Sequence, residues 1–329
     1  MADLSTTYLG LKLKNPIIAG SSGLTNTAVK VKELEDNGAG AVVLKSIFEE
    51  EIVIEMAKAL QGGTKPFYAE ALDYYGDLIQ KDTLGKYTSL IKESKKKASI
   101  PVIASVNCMY SSEWVNFAKE IGSAGADALE LNMFFLPADL SRSSAEQEQL
   151  YFDVVGQVLQ KVSIPVALKI GCHFSNPALM IRRLSEMGVA GLVLFNRFYT
   201  PDFDIKNLKL VSGNVLSTPA EMGNSLRWVA MMSGRVKCDL CASTGIHDGQ
   251  AVIKQILAGA KAVQVVSVLY QNGAKHIRTM LQELDAWMTS NKFKGLDQFR
   301  GKMSQAKVEN PAVFERVQFM KYAGGGQIS

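Results

Sequence analysis

The sequence predicts an α/β fold, a single (β/α)8 barrel of the TIM type covering residues 1–329, and three observations predict it. Two kinds of strand entrance alternate strictly along the chain, an apolar run follows each of the eight, and segments of helical period lie between most of them. Strands alternating with helices imply right-handed βαβ crossovers and a parallel sheet. Eight repeats with no long segment left over suit a closed barrel better than an open sheet, and one such barrel accommodates 329 residues without a linker.

Taken in order, Tyr8-Leu9-Gly10-Leu11-Lys12-Leu13-Lys14 alternates like a short hairpin and is placed at the barrel bottom. Asn15-Pro16-Ile17-Ile18 then opens strand one, Gly38 to Leu44 strand two, Ser99 to Ile103 strand three and Gly125 to Leu131 strand four. Ser163 to Ala167, Gly188 to Leu194, Gly234 to Cys238 and Gly259 to Val265 open strands five to eight. One entrance type is a Gly/Ala turn, in which glycine closes the preceding helix in the left-handed region before a buried parallel strand. The other is a short polar or proline turn, and proline fits the first residue of a strand. Helical segments are expected over 114–123, 149–161, 177–187 and 249–257, and the Gly324-Gly325-Gly326 end as a frayed tail.

Composition narrows the class. The chain is 47% hydrophobic and 21% charged with 27 Gly and 9 Pro, which excludes a disordered or collagen-like polymer. Net charge is +4 with the basic residues dispersed, and Lys95-Lys96-Lys97 reads as a solvated helix end, so no nucleic-acid partner is expected. No apolar stretch nears the ~20 residues of a membrane span, and the first residues carry no signal-peptide pattern. The four cysteines read as free thiols, so a soluble cytoplasmic protein is expected.

In such a barrel the chemistry lies at the carboxyl ends of the strands. Those ends read Gly20-Ser21-Ser22, Lys45-Ser46, Ser105 with Asn107, Glu130 with Asn132, Lys169, Asn196-Arg197, Ser243-Thr244-Gly245 and Ser267. Polar residues follow apolar strands wherever strands meet water, but two lysines and two asparagines converging on one mouth exceed what packing needs. Long stretches follow strands two, four and six and read as lids or binding loops. Short connections after strands seven and eight match the usual phosphate position of these barrels, with hydroxyls from Ser243, Thr244 and Ser267 and with Asp248 capping the next helix. A phosphorylated small-molecule ligand is the physical expectation.

Other constellations carry less. Cys238-x-x-Cys241 has no second pair, so no metal is assigned. His173, His247 and His276 form no metal spacing, and His173 reads as an exposed loop side chain or a substrate contact. No Gly-x-Gly-x-x-Gly or Walker loop is present.

Asn15-Pro16-Ile17-Ile18, Lys45-Ser46, Glu130-Leu131-Asn132, Lys169, Asn196 and Ser243-Thr244-Gly245-Ile246 occur in an order that resembles the dihydroorotate dehydrogenases over nearly the whole chain. Leu194 to Tyr199, Leu216 to Glu221 and Met303-Ser304-Gln305 are similar to a bacterial dihydroorotate dehydrogenase-like group. The resemblance implies an FMN-dependent oxidoreductase of the CH-CH class, with hydride passing from a dihydropyrimidine-like substrate to FMN. It implies a cofactor site of Gly20, Ser21, Lys45, Ser46, Ser105, Asn132, Lys169, Asn196, Ser217, Ser243, Thr244, Gly245 and Ser267. Within that set, Lys169 would lie at the flavin's N1/C2 edge, Lys45, Asn132 and Asn196 would face substrate, and the strand-seven and strand-eight loops would cradle the phosphate. It also implies a homodimer by analogy.

One departure bears on mechanism. Where the family carries a cysteine or serine that takes the substrate proton, three positions beyond the asparagine, this chain has Phe135, and a phenyl ring accepts no proton. The family's third substrate contact is also not recognisable in Phe67-Tyr68-Ala69-Glu70-Ala71-Leu72. The proton then goes to Lys45, to a loop hydroxyl such as Ser143 or Ser144, or to water. Two other readings stand beside the flavin one: an aldolase-like Schiff base on Lys45 or Lys169, and a flavin-binding protein without turnover.

Overall fold

The computed structural model describes residues 2–48, 69–107 and 111–315. After a two-stranded hairpin (β1, Thr6–Tyr8; β2, Leu11–Leu13), parallel strands β3 (Ile17–Ala19), β4 (Ala41–Val43), β5 (Ile47–Phe48), β6 (Val102–Asn107), β7 (Ala128–Met133), β8 (Val166–Ile170) and β9 (Gly191–Leu194) follow. An antiparallel ribbon (β10, Pro201–Asp204; β11, Lys209–Ser212) precedes β12 (Asp239–Ser243) and β13 (Ala262–Val265). β3 pairs with β4 and with β13, and β4 pairs with β6, which closes the sheet. Both β4 and β5 pair with β6, so they are two halves of one stave and the barrel has eight. Strand two therefore resumes beyond Lys45-Ser46 rather than ending there.

Helices lie outside, and several begin at a side-chain cap supplied by the sequence. Thr27 caps α1 (Ala28–Asp36) through its hydroxyl, which accepts from Lys30 N–H. The stretch read as a long loop after strand two contains α2 (Ala69–Lys97), a 29-residue helix whose last turn holds Lys95, Lys96 and Lys97. Lys95 binds both oxygens of Asp127, at 2.7 and 2.6 Å. Of the stretch Phe67 to Leu72, residues 67–68 lie outside the described residues and the remainder starts this helix. Helix α3 (Ser111–Ser123) follows β6. Helix α4 (Ser144–Leu159) starts five residues before the periodic segment, because Ser143 and Glu146 form a reciprocal capping box. Then come α5 (Pro177–Glu186), α6 (Met222–Met232), α7 (Gly249–Ala258), α8 (Ser267–Asn272) and α9 (His276–Ser290). Asp248 caps α7, accepting from Ala251 N–H at 2.7 Å. The strand-six stretch holds the β10–β11 ribbon, a structure its polar, Gly-interrupted sequence did not indicate.

Two apolar layers hold the fold. The larger lies between staves and helices, where outward-facing residues such as Val42, Leu131 and Leu168 meet Ile91, Val155 and Ile256. The smaller fills the barrel, where Ile18, Val43, Ile103 and Val193 sit above Ala41, Ala128, Ala167 and Ala262. Tyr8, Leu9 and Leu13 from the hairpin close this second layer, so the hairpin is the bottom plug. Gly191 lets it in, since a Cβ there would fall 2.5 Å from a Leu9 methyl. Gly38, Gly125, Gly188 and Gly259, the four glycines placed at helix ends, all have positive φ.

Candidate active site

Side chains alternate across each stave, so register fixes what faces inward. Ser105 pairs with Glu130, Asn132 with Lys169, and Ser243 with Gln264. These six are inward positions above the apolar filling, Glu130 and Asn132 at two successive levels of the same stave. The barrel interior thus passes from hydrocarbon at the hairpin end to charge, amide and hydroxyl at the strand ends.

Lys169 is only 7% exposed, and a buried cation requires partners. Its Nζ donates to Gln264 Oε1 at 2.8 Å, and the other end of the same amide donates to Glu130 Oε2 at 2.5 Å. Burial raises the Glu130 pKa above the ordinary carboxylate value, opposed by the Lys169 charge and the Gln264 hydrogen bond.

Hydroxyls line the adjoining wall. Ser21 Oγ lies 3.0 Å from Ser46 Oγ and accepts the Ser46 N–H at 2.8 Å. Ser46 Oγ is 2.7 Å from Ser105 Oγ. Tyr87 of α2 anchors this chain, accepting from Ser105 N–H at 2.7 Å and donating to Ser105 O at 3.0 Å. Burial pushes its phenol up, so it stays a neutral donor. Lys45, two residues beyond inward-facing Val43, has its Nζ 5.6 Å from the Phe48 ring centre.

A cleft of about 230 Å³ runs from Lys169 past Asn196 and Ser21 to Ser217, Ser243, Thr244, Gly245 and Ser267. An ordered water needs roughly 10–15 Å³ on this measure, so the cleft is sized for a ligand and not for hydration alone. At its far end the backbone is specialised. Thr244 and Gly245 have φ of +77° and +75°. A Cβ on Gly245 would lie 2.2 Å from Met222 N, so only glycine passes there. Ser217 ties the loops together. Its N–H donates to Ser267 Oγ at 2.9 Å, while its Oγ accepts from Gly245 N–H at 3.3 Å and lies 3.2 Å from His247 Nε2.

The third wall carries the amides. Asn196 Nδ2 donates to Asn132 Oδ1 at 2.6 Å, and Asn196 Oδ1 accepts from Arg197 N–H at 2.9 Å. With both oxygens engaged, the pair has amide hydrogens left over. Arg197 in turn holds Glu221 at 2.6 Å, and although burial acts to raise the Glu221 carboxyl, the contacts from Arg197 and Thr218 together keep it below its ordinary pKa. Beside the amides stand aromatic rings: Phe134 stacks on Phe198 at 3.6 Å, and His173 meets the Phe198 edge at 4.8 Å. Phe135 packs edge-on against Tyr151 at 5.1 Å.

The structure thus brings Ser21, Lys169, Asn196, Ser217, Ser243, Thr244, Gly245 and Ser267 to one cleft, with Ser46, Ser105 and Asn132 joined to it by hydrogen bonds. Gly20 lies against it, 3.5 Å from Gln264 Oε1 to a built Cβ. Lys45 stands outside the cleft lining. Ser143 and Ser144 are exposed, and Ser143 Oγ is held by Glu146 at 2.7 Å in the helix cap, which removes that hydroxyl from the mouth. Gln264, Tyr87 and the Arg197–Glu221 brace were not read from the sequence. The signal for Gln264 was available, since it is the one amide in the apolar run Ala262-Val263-Gln264-Val265-Val266. Among the described residues no cluster of metal-binding side chains occurs. Cys241 lies inside the barrel, and burial pushes the Cys238 thiol up to about 12. No helix among the described residues is long and apolar enough to cross a membrane.

A parallel barrel with a buried cation, an amide pair and two hydroxyl-bearing loops at one mouth has the polar strand-end cleft at which barrels of this class carry their active sites. Sequence comparison places it further. The dihydroorotate dehydrogenase family model matches residues 3–288, and the chain belongs to this family of oxidoreductases. It is 29% identical to dihydroorotate dehydrogenase B (NAD(+)), catalytic subunit, of Thermoplasma volcanium, covering 92% of this chain and 98% of the relative. The Thermoplasma acidophilum protein of the same name is 28% identical over 92% and 99%. The chloroplastic dihydropyrimidine dehydrogenase (NADP(+)) of Arabidopsis thaliana is 25% identical over 91% of this chain and 76% of its own length.

Proposed function

We propose that the protein is an FMN-dependent oxidoreductase that moves hydride between a small, planar, dihydropyrimidine-like CH-CH substrate and FMN. The observation that carries this reading is the single cleft shared by Lys169 and the Ser243-Thr244-Gly245 loop, a buried cation at one end and glycine-permitted backbone at the other. The residues fit the cofactor on this chain's own terms. The left-handed Thr244-Gly245 turn, with Gly245 packed on the Met222 backbone, lies in the cleft lining with Ser243, a small-residue loop of the kind that phosphates approach closely, and Ser217 and Ser267 brace that turn. When bound, FMN supplies the hydride acceptor.

The chain's residues do the rest. Lys169 keeps a fixed positive charge where electron density accumulates, in a site too dry to screen it. Ser21, Ser46 and Ser105 supply hydroxyls along one edge. Asn132 and Asn196 turn amide hydrogens toward substrate carbonyls, and the Phe134–Phe198 stack excludes water beside them. Phe135 occupies the place of the family's proton acceptor, so proton removal passes to Lys45 or to a water. By family analogy we assign a homodimer, which sedimentation velocity checks.

The test is the purified protein's colour and spectrum, followed by reconstitution with FMN and anaerobic addition of dihydroorotate. FMN binding with micromolar or tighter affinity and a flavin spectrum supports the reading. Bleaching by dihydroorotate identifies that substrate, and its absence with bound FMN points to a different one. A colourless protein that binds no FMN, with borohydride trapping a carbonyl substrate on Lys45 or Lys169, overturns the reading in favour of a Schiff-base enzyme.

A further inference from the structure

We propose that Glu130 and Gln264 are positioning residues for Lys169, setting where its charge lies at the mouth and how much of it a bound ligand feels. This rests on the FMN reading above. The three side chains come from β7, β13 and β8 and meet inside the barrel, Lys169 and Gln264 lining the cleft and Glu130 standing behind them. Lysine is a point charge on a flexible four-carbon stem and chooses its own geometry poorly. Gln264 chooses for it. An ammonium only donates and a carboxylate only accepts, so the amide between them has one workable orientation, oxygen to Lys169 and nitrogen to Glu130. Strand one closes over this amide, since a Cβ on Gly20 would stand 2.8 Å from Val266 and 3.5 Å from Gln264 Oε1.

The arrangement is poor packing and good electrostatics. Glu130 is 1% exposed, and its Oε1 has no hydrogen-bond partner among the described residues. A purely structural trio would be as stable or more so with apolar side chains of the same volume. What the charged version adds is a negative group that partly offsets Lys169 from below, outside the cleft lining, while the remaining ammonium donors stay free to face a ligand. Glu130 thus tempers the preference of the site for the electron-rich, reduced form of its ligand.

The experiment measures the affinities of oxidised and reduced FMN in Glu130→Gln and Gln264→Glu, with the potential read against a reference dye. Glu130→Gln keeps shape and removes the offsetting charge, so the reduced-to-oxidised affinity ratio rises about tenfold, about 30 mV for a two-electron couple. Gln264→Glu puts a carboxylate directly on Lys169, so the ratio falls by a similar factor. Glu130→Asp, which keeps the charge, stays within about threefold of the parent. A ratio unchanged in both charge-altering variants, with only the melting temperature lowered, overturns the proposal and leaves a structural role. Failure of the parent protein to bind FMN at all overturns the functional reading instead.

Discussion

Replacing Lys169 by methionine tests the buried charge directly, because it removes the ammonium while keeping most of the stem. Glu130, at 1% exposure, then has one amide and no cation for company. Losing one partner of a buried ion pair costs about 3–5 kcal/mol when the other stays charged. The carboxylate escapes part of that cost by binding a proton. Its folded-state pKa, already raised by burial, rises further once the opposing Lys169 charge is gone. Above the unfolded value near 4.5 the native state then holds a proton that the unfolded chain has released. Stability accordingly falls as pH rises, by about 1.4 kcal/mol per unit, until the folded-state pKa is passed. Urea denaturation of Lys169→Met and the parent at pH 5, 6, 7 and 8 reads this directly. The variant is nearest the parent at pH 5 and furthest at pH 8, and adding Glu130→Gln flattens the profile. A variant whose difference from the parent does not change with pH, or a double variant that keeps the slope, refutes the claim that the Lys169 charge opposes the upward shift of the Glu130 carboxyl.

Gly245→Ala sets a Cβ 2.2 Å from Met222 N at a positive φ. FMN affinity should fall at least tenfold while riboflavin affinity changes little, and equal losses for both would show that the turn does not serve the phosphate. Phe135→Ala trims a half-buried ring from Tyr151 and should cost about 1–2 kcal/mol, below the 3–5 of a fully buried phenylalanine, with FMN binding unchanged by fluorescence titration. Glu35 is held down to about 2, where burial, which acts to raise it, is overcome by hydrogen bonds from Lys32 and Ser99. Its depressed pKa contributes stability that is present above about 4.5 and lost as pH falls toward 2. Glu35→Gln should therefore flatten the acid limb of a pH–melting profile, and an unchanged limb would exclude this carboxylate as its source.

How much of this was legible in the sequence depends on whether a feature is written along the chain or across it. The staves were readable because each carries its own local marks, a left-handed glycine such as Gly188 or a proline such as Pro165, and then a predominantly apolar run. The plug was readable too, since Tyr8, Leu11 and Leu13 alternate. Helix starts were less so. Ser143 was weighed as a reactive hydroxyl, yet the same Ser-x-x-Glu spacing makes a capping box, and the local hydrogen bond to Glu146 decided between them. The ribbon β10–β11 escaped because pairing of Phe203 with Leu210 is set by a turn and not by burial, both residues standing in solvent.

The site divides in the same way. Thr244 and Gly245 were singled out as small and hydroxyl-bearing residues after strand seven, and the structure places them in the cleft lining with positive φ. Gln264 was missed because its role exists only through Glu130, 134 positions earlier, and Lys169, 95 positions earlier. Yet the partners were constrained in advance by the fold itself. Once Lys169 faces inward on stave five, the inward phase of the other seven staves is fixed by register, and on stave eight that phase contains Ala262 and Gln264 alone. An amide at such a position must find a donor and an acceptor within the barrel or incur roughly 1–3 kcal/mol for each unsatisfied group. Among the described residues, the charged side chains it meets inside the barrel are Lys169 and Glu130. Closing the barrel therefore selects this contact, and a long-range polar arrangement follows from eight short-range alternations.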